Sequence, residues 1–231
     1  MIDAFATNLK TIQSKIQTIS KQYAQKHNIK SHNIKLIAVS KYHSIDEILT
    51  MHSLGQISFG ENKVQDLKTK ISQIDSSKNF EWHFIGSLQR NKINALLALN
   101  PTLIHSIDSL NLAYEIDKKC KQLCKIQSVL LQVNSANEPS KHGFDLKEAK
   151  EAFLKIKENT TNLNLCGIMT IGAHSEDKSK IEDSFARVKE LHDSLASAGS
   201  SVLSMGMSGD FEMALQNGAN MLRIGSALFK H

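Results

Sequence analysis

The chain has 231 residues, 41% hydrophobic and 22% charged, which places it in the ordinary soluble class with enough length for a substantial core. Its formal charge of +5 comes from lysines scattered among Asp and Glu, with no basic block and only 6% aromatic residues; this argues against nucleic acid and suits a small anionic ligand. Three cysteines in no CxxC pair exclude a disulfide framework and a zinc site, and no apolar run reaches the roughly 20 residues of a membrane span. The start "MIDAFATNLK" lacks the apolar stretch of a signal peptide, so a cytoplasmic protein with no membrane and no nucleic-acid partner is expected.

Phe5, Leu9, Ile12, Ile16, Ile19 and Tyr23 recur at spacings of three and four, one apolar stripe on a long N-terminal helix. The pattern changes at "KLIAVS", where Leu36, Ile37, Ala38 and Val39 read as a strand buried on both faces. From there helical patterns alternate with short strand-like runs. A helix over 45–54 precedes "QISFG", one over 63–74 precedes "EWHFIG", and one over 89–99 precedes "LIHSI". Helices over 110–123, 146–157, 181–198 and 211–218 precede "SVLLQVN", "NLCGIMTI", "SVLSMG" and "NMLRIG". Cys120 and Cys124 fall on a helix and Cys166 in a strand, where free thiols are the plain reading.

Eight strands separated by seven helices, two prolines and no linker predict a single parallel α/β domain over residues 1–231. An open doubly wound sheet and a closed (β/α)8 barrel of the TIM type both fit the alternation. Strand count and length favour the barrel, with the N-terminal helix covering the gap after the eighth strand.

In such a barrel the active face is made by loops that follow the strands, and phosphate is commonly held after strands seven and eight. Those loops read "SMGMSGD" (Ser204–Asp210) and "RIGSA" (Arg223–Ala227). Their glycines let backbone N–H groups approach an anion, their serines add hydroxyls, and both are expected to lead into helical segments. Lys41, which alone would read as a strand-end lysine reaching for water, follows strand one at the same mouth. Alternation places Arg223 with Met221 and opposite Leu222 and Ile224. With those two against the helices, Arg223 points into the barrel, where it needs an anion or a ring nitrogen. A reactive lysine, a phosphate cup and an inward arginine are what a pyridoxal phosphate site requires.

The pieces "AVSK", "FGENKVQD", "WHFIGSLQRNK", "SID", "KHGF", "GIM", "LSMGMSGDFEMAL" and "RIGSALF", in this order over nearly the whole chain, resemble the pyridoxal phosphate homeostasis proteins. The fold of that family is similar to the N-terminal barrel of alanine racemase. The resemblance implies that Lys41 is the Schiff-base lysine for pyridoxal 5'-phosphate and that Ser208, Gly225 and Ser226 hold the phosphate. It also implies that Arg223 faces the pyridine nitrogen, with Asn62, His83 and Met207 completing the binding set. Taken as residues, Asn62 also reads as a cap for the helix starting near Lys63, and His83 as a core histidine. Lys141, in "EPSKHGF", is the competing lysine.

A non-catalytic carrier with no catalytic residue, a monomer serving pyridoxal phosphate-dependent apoenzymes, is expected from the acid–base groups. An arginine at the ring nitrogen keeps it unprotonated and weakens the electron sink that racemisation needs. The second base of alanine racemase is a tyrosine from a separate β domain, whereas this chain ends six residues beyond Gly225. Tyr42 is expected to alternate away from Lys41. The enzymatic alternative is a low-activity amino-acid racemase using Lys41 with water or Tyr42. A phosphosugar isomerase would need Glu61 as its base.

Overall fold

A computed structural model describes residues 2–135, 142–172, 175 and 177–231. The apolar runs become strands β1 (Lys35–Val39), β2 (Ser58–Glu61), β3 (Glu81–Phe84), β4 (Leu103–Ile107) and β5 (Gln127–Asn134). They continue with the short β6 (Phe144–Asp145), then β7 (Leu163–Thr170), β8 (Val202–Ser204) and β9 (Met221–Ile224). Every pairing is parallel. β1 pairs with both β2 and β9, β4 with β5 and β5 with β7, so eight strands close into a ring and β6 adds to the end of β5. The alternation therefore resolves as the closed barrel.

The outer layer is α1 (Ile2–Lys26), α2 (Ile45–Ser53), α3 (Val64–Ser72), α4 (Ile93–Ala98), α5 (Leu110–Gln122), α6 (Leu146–Asn159), α7 (Lys178–Ser194) and α8 (Phe211–Gln216). Local chemistry starts several of them. Ser44 and Glu47 form a reciprocal capping box on α2, and Ser109 and Asp177 accept backbone N–H groups at the starts of α5 and α7. The stripe on α1 is buried at Phe5, Leu9, Ile12, Ile19 and Tyr23, and the helix packs between α8 and α2, the place an eighth crossover helix would take. That occupancy explains one departure from expectation. After Gly225 there is a single turn rather than a helix, closed by Leu228 and Phe229 N–H groups on Gly225 O. Phe229 then meets Phe5 edge-on, and the Asn8 amide donates to Leu228 O and Lys230 O.

Alternation along β9 divides two cores. Leu222 and Ile224 belong to the layer between strands and helices, while Met221 joins Ile37, Leu103, Leu130 and Met169 inside the barrel. Arg223 is on the Met221 side, inward as its register predicts, and 5% exposed.

Candidate functional site

At the C-terminal ends of the strands lies a cavity of about 430 Å³. It brings together Lys41, Met207, Ser208, Arg223, Gly225 and Ser226, six of the eight residues singled out from the sequence. Val39, Tyr42, His43, Ile85, Met169, Ile171 and Gly209 complete its wall.

Lys41 stands just past β1. Ser40 N–H donates to Gly60 O, and the chain then turns, with His43 N–H on Ser40 O. Tyr42 sits in this turn at φ 72°, the left-handed region that a bulky residue enters only at a cost. The turn brings its ring back to 5.7 Å from Lys41 Nζ. The expected outward alternation of Tyr42 fails because the strand ends at Val39.

Below Lys41 is a buried ionic knot. Lys70 Nζ, from α3, donates to Glu61 Oε1 at 2.6 Å and to Ser40 O at 2.8 Å, and Ser40 Oγ donates to the same carboxylate oxygen. Glu61 is fully buried and turned toward α3 rather than into the cavity, because the Lys70 ammonium compensates its charge there. A carboxylate base on the cavity wall, which an isomerase reading requires of Glu61, is therefore missing at that position.

The two loops after β8 and β9 interlock through Ser208. Its Oγ accepts the N–H of Gly225 at 3.3 Å and of Ala227 at 3.2 Å. Gly206, at φ 95°, lets the first loop turn where a Cβ would lie 2.7 Å from Ala214 Cβ. Asp210 shapes the same loop by accepting the Met207 N–H.

Arg223 reaches across the interior, Nη1 donating to Ser204 Oγ at 2.6 Å and Nη2 to Thr170 O at 2.8 Å. No carboxylate among the described residues pairs with it. Burial pulls its pKa down to about 10, with the charge of Asp210 acting the other way, so it stays cationic at neutral pH. The cavity wall thus holds a cation that lacks a contacting counter-ion.

Two of the expected residues lie elsewhere. His83 points into the barrel as alternation requires, but deeper; Ile85, two residues on, takes the place at the mouth. His83 Nδ1 meets His105 Nε2 at 3.1 Å, and burial lowers the pKa of both rings. Asn62 borders a neighbouring cleft with Lys63, Phe84 and Ser87, and its Oδ1 is buried without a partner. It does not cap α3, whose N-cap is Lys63 with no side-chain bond. Lys141 lies outside the described residues. His43 is the polar wall residue that the sequence reading passed over. The Ser44–Glu47 capping box could have found it, since it fixes the preceding residue at the barrel mouth. His43 Nδ1 lies 3.1 Å from Glu47 Oε1, and its ring stacks on Phe229 at 4.0 Å.

No described group of His, Cys, Asp and Glu is arranged to hold a metal, and no helix among the described residues is long and apolar enough to cross a membrane. The three cysteines are free.

The family described as alanine racemase, N-terminal domain, matches residues 2–231. A pyridoxal phosphate homeostasis protein of Helicobacter pylori strain J99 is 49% identical over 230 residues, 100% of both chains. Its counterpart in strain 26695 is 53% identical over 199 residues, 86% of this chain and 88% of that one. Among solved structures, PipY of Synechococcus elongatus PCC7942 with PLP bound superposes with a TM-score of 0.79 at 28% identity, covering 91% of this chain and 99% of that one. The chain therefore belongs to the alanine racemase N-terminal domain family and, within it, to the pyridoxal phosphate homeostasis proteins.

Proposed function

We propose that this protein binds pyridoxal 5'-phosphate at the barrel mouth and serves its storage and delivery in the cytoplasm, as a monomer supplying apoenzymes, without robust turnover. One observation carries the reading: a lysine amine, an interlocked pair of Gly/Ser loops and a buried arginine without a counter-ion all face one cavity. The donor set fits the compound. Ser208, Gly225 and Ser226 would hold the phosphate, Lys41 the aldehyde and Arg223 the ring nitrogen. Once bound, pyridoxal phosphate supplies a carbonyl that condenses reversibly with amines and a ring that can accept electrons.

The protein's own groups favour holding over turnover. A guanidinium donates hydrogen bonds and does not give up its proton, so Arg223 presents a donor to a ring nitrogen and no acid that would protonate it. Ser208 ties both loops together by accepting the Gly225 and Ala227 N–H groups, which keeps the two loops in place without a ligand's help. Lys41 opens to solvent beside the exposed Tyr42, where an incoming amine can reach it. Asn62 and His83 take no ligand contact in this reading. A second reading, weak racemase activity, draws on the approach of Tyr42 to Lys41, which places a phenol beside the amine.

The test is titration with pyridoxal phosphate followed by borohydride reduction and peptide mapping. The reduced adduct is expected on Lys41 and absent from Lys41→Ala; a stoichiometric adduct on another lysine of the native protein would overturn the assignment. Loss of the α-deuteron from deuterated alanine, abolished in Tyr42→Phe, would decide for the racemase.

A further inference from the structure

Barrel interiors of this type are filled mainly by branched apolar side chains. Here a line of polar groups from four strands runs below the cavity. Arg223 Nη1 of β9 lies 2.6 Å from Ser204 Oγ of β8, and that oxygen lies 3.2 Å from His105 Nδ1 of β4. His105 Nε2 lies 3.1 Å from His83 Nδ1 of β3; His83 Nε2 makes no hydrogen bond and faces Glu81 Oε2 across 4.0 Å, so the last step of the line is electrostatic. Glu81 is at the opposite end of the barrel, where Lys35 Nζ and Ser58 Oγ donate to it. Ser204 and His105 are fully buried and His83 is 1% exposed.

Two hydrogen-bond directions are formally open to this line, and bookkeeping separates them. Arginine only donates, so Ser204 Oγ accepts from Arg223. If the Ser204 hydroxyl donates onward to His105 Nδ1, then His105 carries its proton on Nε2 and donates to His83. His83 must in turn carry its proton on Nε2, facing the Glu81 carboxylate. In the reverse direction the Ser204 hydroxyl proton has no acceptor among the described residues. The lone pair of His83 Nε2 would also face an anion. Doubly protonated rings would add buried cations beside Arg223, against which both burial and like charge act.

We propose that the line has one direction, from Arg223 through Ser204, His105 and His83 toward Glu81, with both imidazoles neutral and protonated on Nε2, and that Ser204 and His105 are positioning residues for the guanidinium. Every acceptor lone pair then points back toward Arg223 and every proton points away. The aligned dipoles stabilise the buried cation in place of a contacting carboxylate, and the remaining N–H groups of the guanidinium stay available to the cavity. The consequence for the ligand rests on the assignment of Arg223 to the ring nitrogen; the direction of the line does not.

The direction is tested on the ligand-free protein by imidazole proton–nitrogen correlation spectra of histidine-labelled material. Both buried rings are expected as the Nε2–H tautomer above about pH 6.5, the ordinary histidine value. A His105 protonated on Nδ1, or one present as imidazolium, would overturn the proposed direction. The positioning role is tested by titrating Ser204→Ala and Ser204→Thr with pyridoxal phosphate, with circular dichroism to confirm folding. The alanine variant is expected to lose about tenfold in retention and to shift the absorbance maximum of the bound ligand, and threonine to restore both. Wild-type retention and an unshifted maximum in Ser204→Ala would overturn the role. If the wild-type protein took up no pyridoxal phosphate, the site reading and the positioning role would fall together, and the tautomers alone would decide the direction.

Discussion

Replacing Lys70 by methionine strips the cation from a carboxylate that cannot reach water. In the native fold Glu61 is fully buried, with Lys70 Nζ at 2.6 Å and Ser40 Oγ on the same oxygen, while Oε2 has no partner. Methionine keeps the apolar stem of the lysine and removes only the charge and its two hydrogen bonds, to Glu61 and to Ser40 O. Breaking a buried ion pair from one side costs about 3–5 kcal/mol, because the remaining charge stays desolvated. The Lys70 side chain is 13% exposed, so water reaches the rim of the knot and the lower end, about 3 kcal/mol, is the expected loss. At about 2–4 °C per kcal/mol for a domain of this size, the thermal midpoint should fall by roughly 6–12 °C. The assay is urea unfolding at pH 7.5 with the slope compared between variants, alongside a thermal scan by circular dichroism. Glu61→Gln added to Lys70→Met removes the stranded charge and is expected to recover most of the loss. A Lys70→Met protein within about 1 kcal/mol of native, or a double variant no more stable than the single, would refute the reasoning. Because Ser40 O precedes Lys41 directly, Lys70→Met should also weaken retention of pyridoxal phosphate.

The paired substitution Ser208→Ala, Ser226→Ala should lower retention of pyridoxal phosphate by at least about tenfold, since a hydrogen bond to a charged group contributes on the order of 1.5–3 kcal/mol. Pyridoxal, which has no phosphate, should lose little; equal weakening of both ligands in absorbance titrations would remove these loops from the phosphate site. His83 and His105 both have pKa values lowered in the fold, chiefly by burial, so below about 6.5 the unfolded chain binds protons that the native state refuses. Stability should therefore be level near pH 7.5 and fall toward pH 5.5, by up to about 1.4 kcal/mol per histidine per pH unit. A urea midpoint that rises or holds over that range would contradict the burial of neutral rings. Tyr42→Gly and Tyr42→Ala lose the same ring, but only glycine adopts φ 72° freely, so the glycine variant should be the more stable by about 1 kcal/mol in parallel unfolding curves.

Periodicity determined much of this protein before any contact was known. The three-and-four stripe from Phe5 to Tyr23 sufficed for α1, and the apolar runs at Ile37, Ile168 and Leu222 marked buried strands of a parallel sheet. The inward direction of Arg223 was equally legible, because Leu222 and Ile224 are apolar and alternation leaves Arg223 only the other face. Glycines and serines following β8 and β9 likewise marked the two interlocked loops that line the cavity. What alternation cannot give is height. His83 and Ile85 share the inward direction, yet only Ile85 lines the cavity, because strand tilt and stagger in the closed barrel set how far up each side chain sits. Nor does it show where a strand stops: the turn at Lys41 and Tyr42 uses a left-handed tyrosine that carries no glycine signal, and this brings the ring back to the lysine. The facing of Glu61 was decided by Lys70 on the next helix, and the line from Arg223 to Glu81 by four strands far apart in the chain. Local sequence sets which face a side chain takes; barrel closure sets which distant side chains it meets, and in a dry interior those meetings determine which charges can stay.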